Sequence, residues 1–451
     1  MIPAKVYDLA VIGAGPGGYA AALYASRKKK RVCVIEEADV GGTCLNRGCI
    51  PTKALINSAS ILSAVKNSSV FGIDVSGFSL NYNKVSARKN EVVARLRTGV
   101  ETLFKGGGID LVRGHAKLLG PETIDIDHEL LVHPKHIIIA AGSKVSGLPG
   151  INIDEKDVLS SDGILEMDRL PKSIVIVGGG VIGCEFANLF NAFGVKVKVV
   201  ELTDRLVPGQ SREASKKLET ALKKSGVEVI TRASVEAVKK SGGLLDVSIS
   251  GSKAVSAEKV MVSVGRKPAT EGLDLEHYGV KTENGRVVVD GHLRTSVQNI
   301  FAIGDCVAGP LLAHRASYDG ILACDNILGG TRTADYSNCP TCIWTEPEIA
   351  SVGMTEEEAK AKYPGCKTAK FPYLGSGKAY LLGKQEGYAK VIGDPGGMIL
   401  GVEIFGYGAC ELIAEAVLAK TAGINIKDWA GAIHGHPTLS EILQEAAQVF
   451  L

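Results

Sequence analysis

The stretch Tyr7-Asp-Leu-Ala-Val-Ile-Gly-Ala-Gly-Pro-Gly-Gly18 decides the fold. Its apolar first half predicts a short strand, and the glycines predict a tight turn into an Ala-rich helix over Tyr19 to Arg27. A second apolar strand, Arg31 to Ile35, ends at the acidic residue Glu36. A glycine motif alone is weak evidence, but strand, glycines, helix, strand and acid in this order indicate a dinucleotide-binding unit.

Each of three glycines in this turn has a predicted structural role. Gly13 permits the sharp turn, Gly15 lets a pyrophosphate approach the backbone, and Gly18 lets the helix pack on the strand. The phosphates then face the N–H groups at the helix start. Glu36 is expected to accept the ribose hydroxyls.

The same pattern recurs at Gly178-Gly-Gly-Val-Ile-Gly183, with Gly178, Gly180 and Gly183 as the turn glycines. An apolar strand precedes it, and a helix and a further strand ending at Glu201 follow. Two fingerprints predict two nucleotides, one held as a flavin (FAD) and one exchanged as a nicotinamide. Because a carboxylate suits a free 2′-hydroxyl and repels a 2′-phosphate, Glu201 favours NAD over NADP.

Two cysteines, Cys44 and Cys49, lie in the segment Gly41-Gly-Thr-Cys-Leu-Asn-Arg-Gly-Cys-Ile-Pro-Thr-Lys53, which follows the first fingerprint and opens a predicted helix. Partial positive charge at a helix start lowers a thiol's pKa and favours the reactive thiolate. Taken alone, this spacing leaves a metal half-site or coincidence open. Beside a redox cofactor, it indicates a dithiol that stores two electrons.

Composition excludes several classes of function. With 51 basic and 49 acidic residues the net charge is +2, so we expect neither a nucleic-acid nor a membrane-surface partner. The ten cysteines do not form a dense framework, which predicts a reducing cytoplasm and a catalytic rather than structural disulfide. A strand begins almost at the N-terminus, and we therefore expect no signal or transit peptide.

Strand patterns suggest about three domains. Buried strands run into glycine turns near residues 137–143 and 261–266, and a third strand places Asp305 at its carboxyl end. From about Tyr336 the patterns around residues 343–349, 387–392 and 399–405 predict an antiparallel sheet with added helices. We expect a first nucleotide-binding domain over 1–148 with a return segment over 268–335, a second over 149–267, and a third domain over 336–451.

A second close cysteine pair, Cys339-Pro-Thr-Cys342, has the spacing of a redox or zinc half-motif. No second pair and no histidine at ligand spacing lies nearby, which argues against metal. We expect this segment to start a strand and predict no metal site in the chain.

With both fingerprints, the cysteine pair and Ile303-Gly-Asp305 in place, the chain resembles the flavoprotein disulfide reductases over essentially its whole length. The tail His434-Gly-His-Pro-Thr-Leu-Ser-Glu441 is similar to that of the dihydrolipoamide dehydrogenases among them. The resemblance implies an α/β fold with two Rossmann-like dinucleotide-binding domains and a C-terminal α+β dimerisation domain.

The resemblance also implies catalytic roles. Cys44 is similar to the interchange thiol that attacks the substrate, and Cys49 to the flavin-proximal thiol. His436 resembles the catalytic base, and Glu441 orients it; a histidine suits this task because its pKa lies near working pH. His434 is expected to be noncatalytic.

Further cofactor contacts follow from the same resemblance. Lys53 is expected near the flavin, paired with Glu185, and Asp305 near the ribityl chain. The remaining positions that the resemblance assigns to cofactor binding are Glu37, Gly42, Thr43, Ala116, Ala141, Gly142, Ser143, Val181, Ile182, Val235, Gly265, Gly304, Leu311, Leu312, Ala313 and His314.

The implied activity is oxidation of protein-bound dihydrolipoamide to lipoamide with reduction of NAD⁺, using FAD and the Cys44–Cys49 disulfide. The implied partners are a second copy of the chain and either a lipoyl-bearing acyltransferase of a 2-oxoacid dehydrogenase complex or the carrier protein of a glycine-cleavage system. Two alternatives remain: reduction of a low-molecular-weight disulfide such as glutathione disulfide, and a mainly structural subunit of a multienzyme complex. Glu201 and the tail argue against the first, and intact Cys44, Cys49 and His436 argue against inactivity.

Overall fold

The first glycine turn lies at the carboxyl end of an inner strand of a seven-stranded sheet in the computed structural model, which describes residues 3–451. The elements of this part are β1 (Ala4–Ile12), α1 (Pro16–Arg27), β2 (Val32–Glu36), α2 (Gly42–Arg47), α3 (Cys49–Lys66), α4 (Tyr82–Gly106), β3 (Asp110–Arg113), β4 (Ala116–Gly120), β5 (Thr123–Ile126), β6 (Leu130–Ile139) and β7 (Ser143–Val145). Strand β1 pairs in parallel with β2 and β6, and β2 pairs in parallel with β3. The second half of β1 and all of β2 are buried, as expected for strands covered on both faces of a sheet.

The second glycine turn belongs to a five-stranded sheet in the order β11-β10-β9-β15-β8. This part contains β8 (Val158–Leu159), α5 (Ser161–Leu165), β9 (Ser173–Val177), α6 (Val181–Ala192), β10 (Lys196–Val200), α7 (Arg212–Ser225), β11 (Glu228–Ile230), β12 (Val235–Ser241), β13 (Leu244–Ile249), β14 (Val255–Ala257), β15 (Lys259–Val262) and β16 (Arg266–Pro268). The five strands are parallel throughout, and β12, β13 and β14 form a separate antiparallel sheet.

The chain then returns to the first sheet. The elements of the return are β17 (Thr282–Glu283), β18 (Arg286–Val287), β19 (Ile300–Ala302) and α8 (Ala313–Ile327). Strand β19 pairs in parallel with the second half of β6, and α8 packs on α1. The first nucleotide unit is therefore assembled from two distant parts of the chain.

An antiparallel sheet in the order β20-β21-β24-β23-β22 forms the C-terminal part. Its elements are β20 (Thr341–Ile343), β21 (Glu348–Gly353), α9 (Glu356–Lys362), β22 (Lys367–Pro372), α10 (Gly377–Leu382), β23 (Gly387–Gly393), β24 (Ile399–Gly406), α11 (Ala409–Thr421), α12 (Ile426–Gly431) and α13 (Glu441–Gln448). Strands β23 and β24 are its most buried pair, and α11 and α13 pack against the sheet.

The architecture confirms the predicted fold class and refines three elements. Helix α1 begins at Pro16 rather than Tyr19, because Gly15 already serves as its N-cap. The cysteine segment forms two helices, α2 and α3, which are separated at Gly48. Residues 344–347 connect β20 to β21, so the 343–349 pattern covers the end of one antiparallel strand and the start of the next. Within residues 3–451, no helix is both long and apolar enough to cross a bilayer.

Candidate active site

The first glycine turn is shaped for a close approach by an anion. Gly13 has φ 103°, and a Cβ there would lie 2.4 Å from the carbonyl oxygen of Ala140. A Cβ on Gly18 would lie 1.9 Å from the Gly13 carbonyl oxygen, so only glycine lets α1 pack this closely. Helix α1 has Gly15 as its N-cap and no side-chain cap, which leaves the first N–H groups available to a phosphate.

The acid at the end of β2 holds this turn in place. Glu36 is buried, with an exposed fraction of 9%, and its two carboxylate oxygens accept the N–H groups of Ala14 at 2.7 Å and Ala38 at 2.9 Å. Its neighbour Glu37 pairs on the surface with Nδ1 of His115 at 2.8 Å. Ala116, the next residue, is buried at the start of β4.

The second glycine turn repeats this arrangement. Gly178 has φ 104°, and a Cβ there would lie 2.5 Å from the Ser263 carbonyl oxygen. Glu201 accepts the N–H groups of Gly179 at 2.6 Å and Thr203 at 2.7 Å. Gly180, the N-cap of α6, has no atom within 4 Å of a Cβ position, so the space before the helix is open.

The other predicted residues of this second unit lie around the same turn or on a neighbouring strand. Val181 and Ile182 start α6, and Val181 is 36% exposed. Gly265, with φ 130°, follows β15 at the carboxyl edge of the sheet. Val235 is buried at the start of β12, outside the parallel sheet.

The two predicted redox cysteines lie together across the break between helices. Cys44 belongs to α2 and Cys49 is the first residue of α3, so the helix start faces the second thiol. A hydrogen bond from the Cys44 thiol lowers the pKa of Cys49 to about 7, and the charge of Lys53 acts in the same direction. The same hydrogen bond, together with burial, raises the pKa of Cys44. The pair thus contains one thiol that ionises near neutral pH and one that retains its proton.

The cysteine helices lie directly over the first glycine turn. A Cβ on Gly42, which has φ 57°, would lie 2.7 Å from the Cα of Gly15. On α3, Lys53 forms the expected ion pair with Glu185 of α6, with Nζ–Oε2 and Nζ–Oε1 distances of 2.7 and 2.8 Å. The N–H of Trp344, just after β20, donates to the same carboxylate at 3.0 Å. Three parts of the chain therefore meet at one ion pair.

A set of hydrogen-bonded polar side chains lies at the sheet edge where the parallel strands β6 and β19 end. Ser143, which follows the turn containing Ala141 and Gly142, donates its hydroxyl to Oδ2 of Asp305 at 2.6 Å. Nε of Arg266 donates to the Ser143 hydroxyl at 2.8 Å. A further Arg266 nitrogen lies 3.4 Å from the hydroxyl of Thr43, which connects this group to α2.

The turn that precedes α8 completes the set of predicted flavin contacts. Gly304 has φ 69° beside Asp305, and Leu311 and Leu312 lead into Ala313 and His314 at the start of α8. Nε2 of His314 lies 2.8 Å from the carbonyl oxygen of Pro340, so its ring also contacts the C-terminal part.

The two tail histidines have different surroundings. Nδ1 of His436 lies 2.8 Å from Oε1 of Glu441, whose other oxygen accepts the Thr438 N–H at 2.8 Å. The hydrogen bond from His436 is the main cause that lowers the pKa of Glu441. The His436 side chain is 78% exposed, whereas that of His434 is 9% exposed and bonded to Glu415 at 2.8 Å.

His436 and the cysteines do not meet within one subunit. Across residues 3–451, no hydrogen bond joins His436 to Cys44 or Cys49. The exposed imidazole is therefore available to another molecule.

Arg266 is a site residue that sequence reasoning missed. It directly follows Gly265, in the turn after β15, and a basic residue next to that turn was the one available signal in the sequence. Its contacts to Ser143 and Thr43 depend on the return of the chain between the two sheets. Cys339 and Cys342 do not belong to the same element, because only Cys342 lies in β20.

Comparison with known proteins places this geometry in a family. Residues 7–320 match the family model described as pyridine nucleotide-disulphide oxidoreductase, and residues 339–447 match the dimerisation domain of the same family. A dihydrolipoyl dehydrogenase of Bacillus subtilis is 42% identical, with 98% of each chain covered. That of Chlamydia pneumoniae is 39% identical, with 98% of this chain and 96% of the relative covered.

Solved structures show the same fold. The HOCl-induced flavoprotein disulfide reductase RclA from Escherichia coli, solved as a Cu(II) complex, superimposes with a TM-score of 0.90 at 28% identity over 99% of both chains. LpdA from Mycobacterium tuberculosis gives a TM-score of 0.93 at 24% identity over 100% of both chains. The dihydrolipoyl dehydrogenases among the relatives favour dihydrolipoamide over a low-molecular-weight disulfide as substrate.

Proposed function

Since the chain belongs to the pyridine nucleotide-disulphide oxidoreductase family, among its dihydrolipoyl dehydrogenases, we propose that Cys44 and Cys49 are the disulfide through which it oxidises dihydrolipoamide and reduces NAD⁺. The observation that carries this assignment is the asymmetric thiol pair at the start of α3. One thiol of the pair ionises near neutral pH, and the pair lies over the first glycine turn.

The residues of the first unit fit FAD. Unpartnered N–H groups at the start of α1 suit its pyrophosphate, Glu36 suits its ribose, and the Ser143–Asp305 group lies at the same sheet edge. When bound there, FAD supplies the two-electron relay between the dithiol and NAD⁺. We assign Lys53 to the neighbourhood of the flavin ring because it shares α3 with Cys49.

The dithiol chemistry proceeds by two exchanges. A dihydrolipoamide thiolate attacks Sγ of Cys44, the Cys44–Cys49 bond breaks, and Cys49 leaves as the thiolate because its pKa is the lower. The second substrate thiolate then attacks the substrate sulfur held by Cys44. Lipoamide closes as a disulfide, and the Cys44 sulfur leaves and takes up the proton that the second substrate thiol has lost, so that Cys44 is released as the thiol. His436 accepts the proton of the attacking substrate thiol, and Glu441 fixes its tautomer.

The second unit suits NAD. The unpartnered N–H groups at the start of α6 and the open space at Gly180 fit a pyrophosphate. Glu201 lies at the end of β10, where a 2′-hydroxyl is accepted and a 2′-phosphate is repelled. We propose that Val235 and Gly265 lie along this nucleotide.

Residues 339–447 form a dimerisation domain, and the protein is accordingly a homodimer. We infer that each active site combines Cys44 and Cys49 of one chain with His436 of the partner subunit. The exposed imidazole and the absence of a bond to either cysteine within residues 3–451 support this sharing.

Complementation between two inactive variants tests the shared site. After verified subunit exchange between Cys49→Ser and His436→Gln, half of the sites in a mixed dimer contain intact Cys49 and intact His436. Activity should therefore return on mixing. If exchange is complete and activity stays absent, each site is built within one chain.

The wider assignments are also proposals. We propose domains over residues 1–148 with 268–335, over 149–267 and over 336–451. The division of the strands among the three large sheets supports these limits. We propose a lipoyl-bearing acyltransferase or a glycine-cleavage carrier protein as the partner, and a cytoplasmic location. The dihydrolipoyl dehydrogenases among the relatives support the lipoyl-bearing partner, and ten cysteines without a dense framework support the cytoplasmic location.

The direct test of function is NADH formation from dihydrolipoamide and NAD⁺. We expect turnover with this pair and little oxidation of NADH or NADPH with glutathione disulfide. Cys49→Ser should abolish turnover, whereas Cys366→Ser, a half-buried thiol in the C-terminal part, should not. Faster turnover with glutathione disulfide than with lipoamide would refute the assignment.

A further inference from the structure

A second pair of cysteines lies together in the C-terminal part, although its members are far apart in sequence. Cys342 is on the edge strand β20, and Cys410 is in the first turn of α11. Sγ of Cys342 lies 3.9 Å from the carbonyl oxygen of Cys410, and Sγ of Cys410 lies 3.7 Å from the carbonyl oxygen of Ile343. Each thiol therefore contacts the backbone at or next to the other cysteine.

The surroundings of the two thiols are unequal. Cys342 is partly exposed, while Cys410 is buried with an exposed fraction of 9%. The hydrogen bond from Cys410 lowers the pKa of Cys342, and the positive charge of Lys53 acts in the same direction. The same bond and burial raise the pKa of Cys410. Cys342 is therefore the thiolate-forming, accessible member, and Cys410 is the protonated, enclosed one.

A carboxylate lies beside the enclosed thiol. Oε2 of Glu348 accepts the N–H of Cys410 at 2.9 Å, which places the carboxylate next to this cysteine. Burial raises the pKa of Glu348, which makes its carboxylate a better proton acceptor. This arrangement supplies a base for the thiol that would react second.

The nearer cysteine in sequence is the weaker candidate for a partner. Cys339 lies before β20, where its N–H donates to the Tyr336 carbonyl oxygen, and burial raises its pKa. The hydrogen bond of Cys342 is to Cys410 and not to Cys339. The fold thus replaces the Cys339–Cys342 motif of the sequence with a Cys342–Cys410 pair.

We propose that Cys342 and Cys410 are a second oxidisable dithiol, distinct from Cys44 and Cys49, that a hydroperoxide converts to a disulfide. The Cys342 thiolate attacks one peroxide oxygen, the O–O bond breaks, and the alcohol or water leaves with a proton, giving a sulfenic acid on Cys342. The Cys410 sulfur then attacks the Cys342 sulfur, its proton passes to Glu348, and hydroxide leaves and is protonated to water. One peroxide is reduced, and two thiols are oxidised.

The experiment uses the FAD-loaded homodimer, treated with a small excess of hydrogen peroxide, alkylated, and digested without reductant. Mass spectrometry should show the peptides of Cys342 and Cys410 joined and lighter by two hydrogens than the two thiol peptides. Thiol titration under denaturing conditions should show a further loss of two thiols per chain. Because the readout is a covalent bond, it does not depend on turnover with lipoamide.

Two variants sharpen this result. Cys339→Ser should leave the joined peptides unchanged. Cys410→Ser, which keeps the side-chain size, should remove them and leave a sulfenic acid on Cys342 that dimedone captures. The proposal is overturned if unmutated protein retains both thiols, joins Cys342 to Cys339, or accumulates sulfinic acid on Cys342 while Cys410 stays reduced.

Discussion

The two glycine turns have almost the same internal structure and different surroundings. In each, the acid at the end of the second strand accepts an N–H from the turn, at 2.7 Å for Glu36 and 2.6 Å for Glu201. The first turn is covered: Gly42 of α2 approaches Gly15, and a Cβ on Gly320 of α8 would lie 2.4 Å from the Gly17 carbonyl oxygen. The second turn has open space at its equivalent glycine, Gly180.

This difference fits the proposed assignment of a resident nucleotide to the first turn and an exchanged one to the second. A site enclosed by α2 and α8 must loosen before its nucleotide leaves, whereas a site that is open at the helix start exchanges without such a change. The motif itself carries no information about exchange. The neighbours of the motif determine it, and they come from parts of the chain far away in sequence.

The largest expected effect is on the dithiol reaction, and the nicotinamide reaction should be spared. His436→Gln should lower lipoamide turnover by about a hundredfold to ten-thousandfold, the usual worth of general-base assistance. NADH-dependent reduction of artificial one-electron acceptors should survive, because it needs the two nucleotide sites and not the base. Both activities are measured on the same preparation, and equal loss would indicate misfolding rather than a missing base.

A side chain placed against the first turn and one placed within the second turn should affect different nucleotides. Gly42→Val puts a side chain against Gly15, and overpacking of about 1–3 kcal/mol corresponds to FAD binding that is about fivefold to about 150-fold weaker. Gly180→Val enters open space, keeps FAD, and raises the KM for NADH. FAD content after gel filtration measures the first effect, and NADH titrations measure the second. Retention of FAD by Gly42→Val would contradict the conclusion that α2 encloses the first turn.

Charge at the second turn should decide the nicotinamide. We expect the unmutated protein to prefer NADH strongly over NADPH. Glu201→Arg should reduce that preference by about tenfold or more, since a cation attracts the 2′-phosphate that a carboxylate repels. The ratio of kcat/KM values for the two cofactors is the measurement, with FAD content as the control for folding. Equal use of both cofactors by the unmutated protein would contradict the assignment.

The smallest effect is spectroscopic and belongs to the first site alone. With a Cys49 pKa of about 7, the dithiol-reduced protein should have a long-wavelength absorbance from thiolate beside flavin above pH 7. That absorbance should fade as pH decreases through about 7, because protonation removes the thiolate. Cys44→Ala removes the hydrogen bond that lowers this pKa, so its midpoint should move to higher pH. An unmoved midpoint would assign the low pKa to the helix start and Lys53.

Local patterns in the sequence were sufficient for both turns, because strand, glycines, helix and acid are neighbours along the chain. The ion pair of Lys53 with Glu185 followed from family resemblance, and the structure shows it. The break at Gly48 was missed although Gly48 and Pro51 are residue types that often mark a helix boundary. The position of Arg266 depends on the pairing of β16 with β7, and the Cys342–Cys410 contact depends on the packing of α11 against β20. Both join residues that are distant in sequence, so no local pattern encodes them.

The hydrogen bond from Trp344 to Glu185 makes redox competence conditional on complete assembly. Lys53 comes from the first part of the chain, Glu185 from the second, and the Trp344 N–H from the C-terminal part. A partly folded chain that had already bound its flavin would lack the finished charge environment beside the dithiol. The charge environment beside the dithiol is therefore complete only when all three parts of the chain have docked.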